Sequence, residues 1–295
     1  MAGAAPLRIS FLGPAGTYTE QAALLYSPNA TLLPYTSPAA IAQAILDGAT
    51  DEGVAAIENS LEGAITETLD VLIRNPQLRI KREIAIPIEH FLLAKPGVTA
   101  DEVEVVYSHP QALGQCRRYL ERHLPHARAV AALSTAAAVE QAVNLGRSAA
   151  IGNRRAGEFY GAAVLAERIQ DGSNNVTRFV VLALSDAPPT GDDKTSICFR
   201  YADDRPGILV EALHALAKRG INLAKIESRP SGESLGRYIF LVDMNGHRLD
   251  PPVAAALDEI RAQSDPEGFR VFGSYPRFPL ARPANGGRAS GTTTA

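Results

Sequence analysis

The sequence predicts a two-unit α/β protein: a mainly parallel sheet covered by helices on both faces, then a smaller α+β unit of order βαββαβ. Three observations carry this. Between residues 7 and 184 short apolar runs alternate with helical patterns, the order that buries a parallel sheet between helices. Residues 187–194, with two prolines, a glycine and three charges, break that pattern as a linker would. A length of 295 residues suits about two domains.

Taken in order, residues 8–12 read as a strand, closed by the turn Gly13-Pro14-Ala15-Gly16. Thr17 and Glu20 then match a capping box that opens a helix through Tyr26. Ile41, Ile45 and Leu46 lie at helical spacing, with Gly48 as the stop. Residues 54–57 form a short buried strand, and Ile65, Leu69, Leu72 and Ile73 stripe the next helix. Residues 80–94 are less regular around Pro87 and read as two extended pieces. Residues 103–107 are a strand. Pro110, Leu113, Cys116, Leu120 and Leu124 mark one helix, and Ser134 caps another that ends at Gly146. Residues 148–152 and 179–184 are the last strands of this unit.

Beyond the linker, residues 195–201 are a strand. Leu209, Leu213 and Leu216 stripe a helix closed by Lys218, Arg219 and Gly220. Residues 223–227 and 238–244 are strands, 253–260 a helix, and 269–272 the last strand. Residues 279–295 hold one large aliphatic residue, Leu280, and read as a disordered tail.

Composition excludes several classes of function. The chain is 46% hydrophobic and 21% charged, ordinary for a globular protein. A net charge of -3 offers no electrostatic case for nucleic acid or an acidic membrane. Cys116 and Cys198 are too few for a disulfide framework or a four-thiolate zinc site, and His123 and His126, flanking Pro125, make no helical ligand pair. No metal or cofactor is expected. The charge-free stretch 21–46 is broken by prolines and hydroxyls, so no membrane span is expected. With no secretory leader pattern at the start, the expected compartment is the cytoplasm.

Four polar clusters sit where strands end, the place where open α/β sheets hold ligands. Gly13–Thr17 offers glycines and a helix start to an anion, although a tight strand–helix turn needs glycines anyway and is the simpler reading of this cluster by itself. Glu58-Asn59-Ser60 ends a buried strand, where a carboxylate and an amide pack poorly but orient a polar ligand well; Ser60 also suits a helix cap. In the third cluster Gln111 and Gln115 share a helix face, Ser108 caps the helix, and His109 is either a base or a turn residue. Cys116, on the apolar side, is expected to be a buried structural thiol. The fourth is Asn174-Asn175-Val176-Thr177-Arg178-Phe179, whose arginine is the natural partner for a substrate carboxylate.

These residues resemble the prephenate dehydratase family. GPAGTYTEQAA, ENSLEG, SHPQALGQC and NNVTRF occur in the family's order, and IESRP at residues 226–230 resembles the signature of its ACT regulatory domain. The resemblance runs from about residue 7 to 278. Ala56 stands where many members have proline, and Ile208 where a Gly-Ala-Leu-Val pattern is usual.

The resemblance implies conversion of prephenate to phenylpyruvate, with loss of water and carbon dioxide, on the route to L-phenylalanine. It implies a catalytic domain at 7–186 built like a periplasmic binding protein, with one lobe at about 7–80 and 170–186 and the other at about 83–168. The linker follows at 187–194, and a ferredoxin-like ACT domain at 195–273. Aromatisation drives the reaction, so no cofactor is implied. The implied catalytic residues are Thr177, Glu58, Asn59, Ser108 and Gln115. Gly16, Thr17, Ser60, Gln111, Asn175, Arg178 and Phe179 would bind substrate. An ionised Glu58 would repel the dianionic substrate, so it is either protonated or orients Asn59. L-Phenylalanine would bind at Pro206, Gly207, Ile208, Leu209, Val210, Asn222, Leu223, Glu227, Ser228, Arg229 and Pro230. Family ACT domains pair side by side, which implies a homodimer or homotetramer. The readings left open beside this one are arogenate dehydratase and a non-catalytic cytoplasmic amino-acid sensor.

Overall fold

The structure is a computed structural model that describes residues 5–201, 205–232 and 237–278; the expected tail at 279–295 lies outside them. The first sheet contains β1 (Arg8–Leu12), β2 (Thr31–Tyr35), β3 (Glu52–Asn59), β4 (Gly63–Ala64), β5 (Arg79–Pro87) and β11 (Val176–Ala183). Its order is β2-β1-β3-β11-β5, with β4 paired to β3. The second sheet contains β6 (Phe91–Ala94), β7 (Val105–Ser108), β8 (Arg128–Ala131), β9 (Ser148–Gly152) and β10 (Ala163–Ala166), in the order β10-β6-β9-β7-β8. The third sheet, β13-β14-β12-β15, is antiparallel and is built from β12 (Asp193–Phe199), β13 (Leu223–Pro230), β14 (Tyr238–Asn245) and β15 (Arg270–Pro276).

Helices α1 (Tyr18–Tyr26), α2 (Pro38–Leu46) and α3 (Thr66–Arg74) accompany the first sheet. With the second go α4 (Pro110–Gln115), α5 (Arg117–His123), α6 (Thr135–Asn144) and α7 (Arg154–Tyr160). Helices α8 (Ile208–Ala217) and α9 (Pro251–Gln263) cover one face of the third. Several of them start where the sequence supplies a cap. Thr17, Ser37, Ser134 and Asn153 each accept the N–H three residues on. Among the described residues no helix is long and apolar enough to cross a membrane.

Three expectations change. The sheets are mixed rather than mainly parallel: β11 runs antiparallel to β3 and β5, and β6 antiparallel to β9 and β10. The cause is connectivity. The chain leaves the first sheet after β5 and returns as β11, so these strands are not joined by right-handed βαβ crossovers. The boundary at residue 83 also moves. Glu83, Ile84 and Ile86 all pair with β11 in the first sheet, and the crossing lies at residues 88–90. Finally, the single helix expected from Pro110 breaks at Cys116, whose backbone leaves helical geometry (φ -114°, ψ 15°).

The helix-free face of the third sheet packs on the first. Cys198, Ile239, Leu241, Phe272 and Tyr275 form one core with Ile57, Leu69, Leu72, Ile80, Val180 and Leu182. Burying each large side chain of this kind stabilises by about 1.5–3 kcal/mol. The approach is close enough that a Cβ on Gly273 of β15 would collide with the Ile80 backbone of β5.

Candidate active site

A cavity of about 250 Å³ opens between the first two sheets. From the first side come Thr17, Tyr18 and Thr19 at the start of α1, Ala56 and Asn59 on β3, and Asn175, Thr177 and Phe179 at β11. The second side supplies His109, Gln111, Ala112 and Gln115 of α4, and Leu133, Ser134 and Thr135 at the start of α6. Ile88 and His90, on the crossing between sheets, complete the wall.

Strand geometry decides which residues reach the cavity. Side chains alternate along β11, so Thr177 and Phe179 face it and Arg178 faces away. Opposite, Thr177 pairs with Asn59 and Arg178 with Glu58, but Phe179 pairs with Ala56. Ile57 is therefore an extra residue on β3, a bulge. It keeps Ala56 and Asn59 on the cavity side while Ile57 and Glu58 both face the third sheet.

One hydrogen-bond chain runs along the wall. The Asn59 amide Nδ2 donates to Thr177 Oγ1 (2.9 Å) and to Asn175 Oδ1 (2.7 Å). Its Oδ1 accepts from the N–H groups of Leu61 and Glu62, so its orientation is set. Asn175 Nδ2 donates to Gln115 Oε1 (3.0 Å), which also lies 2.8 Å from His90 Nε2. A carbonyl oxygen only accepts, so His90 carries its proton on Nε2. Burial holds the His90 pKa below its usual value, against a smaller opposing effect of the Gln115 bond. The imidazole is therefore neutral at pH 7, and the Tyr18 hydroxyl, bonded to the Glu89 carbonyl, lies 3.4 Å from its Nδ1. Gln115 Nε2 is buried with no hydrogen-bond partner among the described residues.

Two consequences follow for chemistry. Thr177 Oγ1 already accepts a hydrogen bond, so its own proton is free for the cavity. Among the described residues no Lys, Arg, Asp or Glu lines the cavity. Positive potential comes instead from helix starts: the first two N–H groups of α1 and of α6 lie beyond the caps at Thr17 and Ser134, and α4 begins on the same cavity.

Of the expected catalytic and substrate-binding residues, Thr17, Asn59, Gln111, Gln115, Asn175, Thr177 and Phe179 line this cavity, and five do not. Arg178 is 15% exposed and bonded to carboxylates behind β11: Glu58 (2.9 Å), Glu83 (3.3 Å) and Asp243 (2.9 Å). Burial works against its charge, but Asp243 foremost among its neighbours holds its pKa above the ordinary value. Glu58 pairs with Arg178 and, at 3.2 Å, with Lys225, so it neither meets substrate nor orients Asn59 directly. The Ser108 hydroxyl is fully buried and donates to the Ile151 carbonyl, a bond inside the second sheet. Ser60 ties its loop to Asn174 and Val176. Gly16 donates its N–H to Glu20 Oε2 (2.6 Å), which removes it as an anion donor; its close approach is to Ala156 of α7.

His90, Tyr18 and Thr135 escaped the sequence reading, and Ser134 was read only as a helix cap. His90 had a usable signal, a histidine inside the apolar run IPIEHFLL, where burial demands a partner. Cys116 is buried in the second core, and burial pushes its thiol up to about 12.

The expected effector residues divide by face. Gly207 precedes α8 at φ +87°, beside Pro206, and Ile208, Leu209 and Leu223 pack on the core under α8 and α9. Val210, Asn222, Ser228 and Pro230 are exposed. Glu227 and Arg229 lie on the opposite face of β13: Glu227 reaches Lys225 (3.3 Å), and Arg229 pairs with Asp70 of α3. Strand alternation takes these two away from the α8 side, where Ser228 sits.

Comparison with known proteins agrees with this architecture. A family model described as prephenate dehydratase matches residues 9–187, and one described as ACT domain matches 199–262. A bifunctional chorismate mutase/prephenate dehydratase of Aquifex aeolicus is 40% identical over 92% of this chain and 74% of its own length. The structure of a prephenate dehydratase from Arthrobacter aurescens in complex with L-Phe superposes with a TM-score of 0.84 at 39% identity, covering 92% of this chain and 90% of that one. The structure of GqqA, described as a novel type of quorum-quenching acylase, also gives 0.84, at 31% identity over 93% of this chain and 100% of that one.

Proposed function

The chain belongs to the prephenate dehydratase family and is a hydro-lyase, and from that premise we propose that the cavity converts prephenate to phenylpyruvate with Thr177 as the proton donor. The observation that carries this is the Asn59 Nδ2 to Thr177 Oγ1 bond, which leaves the hydroxyl proton free for the cavity. As the ring C–O bond breaks with its electron pair, that proton completes the departing water. The ring C–C bond to the carboxylate breaks in concert, carbon dioxide leaves, and its bonding pair completes the aromatic ring. Solvent then restores the threonine proton.

Donors held in place before the reaction supply the rest. The uncapped N–H groups of α1 and α6 bind the two carboxylates without an arginine. Gln115 Nε2, buried and unpartnered, presents an N–H pair to the substrate, while Phe179 and Ile88 give the ring an apolar floor. An acylase reaction needs an activated nucleophile instead. Among the described residues Thr177 Oγ1 is bonded to an amide donor and to no base, and the Cys116 thiol stays protonated.

We infer that residues 195–273 form the regulatory domain and that L-phenylalanine binds beside α8 and Ser228 on β13. β13 is an edge strand with Ile226 41% exposed, which supports side-by-side pairing with a second copy of the chain. Measuring kcat/KM on prephenate and arogenate, with an acylase assay beside them, tests the activity. The proposal expects prephenate to be turned over best; turnover of neither acid overturns it. Calorimetric titration of L-phenylalanine with parallel activity tests regulation, and absence of binding refutes that part.

A further inference from the structure

Two neighbouring cross-strand pairs join β3 to β11. Thr177 opposite Asn59 faces the cavity, and Arg178 opposite Glu58 faces the third sheet. Both members of the second pair are held from the third sheet: Arg178 by Asp243 of β14 at 2.9 Å, and Glu58 by Lys225 of β13 at 3.2 Å. The cluster is closed on its remaining sides. Glu83 of β5 takes Arg178 and Lys194 of β12 together, and Asp243 accepts from Ser196, which also meets the Tyr275 hydroxyl. Asp243 and Glu83 are buried, so any motion of the third sheet must either carry Arg178 along or strand a charge.

We propose that Arg178 is a positioning residue, which through Asp243 and Glu58 ties the placement of Thr177 and Asn59 to the seat of the third sheet. The inference rests on the dehydratase reading of the cavity. Arg178 touches no substrate, but backbone displacement at Arg178 and Glu58 passes directly to Thr177 and Asn59, their neighbours in the chain. A proton donor is sensitive to such displacement, since misplacement by about 1 Å can cost about 10²-fold in rate.

The test uses the full chain carrying Asp243→Asn or Lys225→Gln, both altered outside the cavity. Expected are a fall in kcat of about tenfold with KM held within about twofold, and a shifted ¹³C-methyl NMR signal of Thr177. Combining Asp243→Asn with Arg178→Lys should lower kcat little further than the worse single change, because both break one linkage. Lys225, at 21% exposed, is the substitution that leaves folding least disturbed should Asp243→Asn fail to fold. An unchanged kcat and an unmoved Thr177 methyl signal in Lys225→Gln and Asp243→Asn would overturn the proposal, leaving an ordinary ion cluster. So would a tenfold rise in KM with kcat retained in Arg178→Lys, which would return Arg178 to a substrate carboxylate. A wild-type protein inactive on prephenate would refute the dehydratase reading by itself, and the Thr177 methyl signal would still decide the linkage.

Discussion

Replacing Thr177 by valine removes the hydroxyl and little else, since the two side chains have nearly the same shape. The stability cost can be worked from the bonds. Thr177 is 8% exposed, and its Oγ1 accepts one hydrogen bond, at 2.9 Å from Asn59 Nδ2. Losing a buried neutral bond costs about 1 kcal/mol, and an unsatisfied buried donor about 1–3 kcal/mol. Asn59 keeps its bond to Asn175, so its amide is not orphaned. The loss in stability is therefore about 1–2 kcal/mol, small against the roughly 5–15 kcal/mol of a typical domain. The loss in catalysis is larger. A positioned proton donor contributes about 10²–10⁴ in rate, or about 2.7–5.4 kcal/mol of transition-state stabilisation. Phenylpyruvate formation at saturating prephenate, beside a urea melt of the same protein, separates the two. Thr177→Val should melt cooperatively at modestly lower urea with kcat reduced at least a hundredfold, and Thr177→Ser should recover part of it. A folded Thr177→Val enzyme within tenfold of wild-type kcat would refute the assignment.

Three further outcomes follow. His90→Phe frees the Gln115 amide to turn, so kcat/KM should fall about fivefold, the equivalent of one lost buried hydrogen bond of about 1 kcal/mol; unchanged kinetics would show that Asn175 alone fixes Gln115. Burial pushes both thiols up to about 12, so at pH 8 the thiolate fraction is about 10⁻⁴, and a thiol reagent should label neither Cys116 nor Cys198 until the protein unfolds; rapid labelling of the native chain would contradict this. Gly273→Ala sets a Cβ against the Ile80 backbone, which cannot yield as a flexible side chain would. The urea midpoint should fall by the equivalent of about 1–3 kcal/mol, and an unaltered midpoint would mean that the two sheets separate freely.

Local chemistry wrote much of this protein into its sequence. Caps at Thr17 and Ser134, apolar stripes such as Ile41 and Ile45, and the change of pattern after residue 187 marked most helices and the second unit. Helix α7 and the two-residue β4 escaped the sequence reading, and so did three strands of one kind. β2, β8 and β10 are edge strands, short and half exposed, so they lack the apolar run that marks a buried strand, and Pro34 is tolerated in β2 because an edge needs fewer ladder bonds. For the candidate site, the sequence supplied Thr177, Asn59, Asn175 and Gln115 as polar residues at strand and helix ends. It put Thr177 and Arg178 together on the substrate, whereas alternation along β11 points them opposite ways. Which of the two meets the cavity was settled only by tertiary structure. Both faces of the first sheet are covered, and the charges that claim Arg178 are distant in sequence: Glu58 and Glu83 come beside it when β3 and β5 pair with β11, and Asp243 arrives when the third sheet docks. An arginine beside the proposed proton donor reads as a substrate ligand until those carboxylates are in place, because its choice of partner depends on distances that no local pattern encodes.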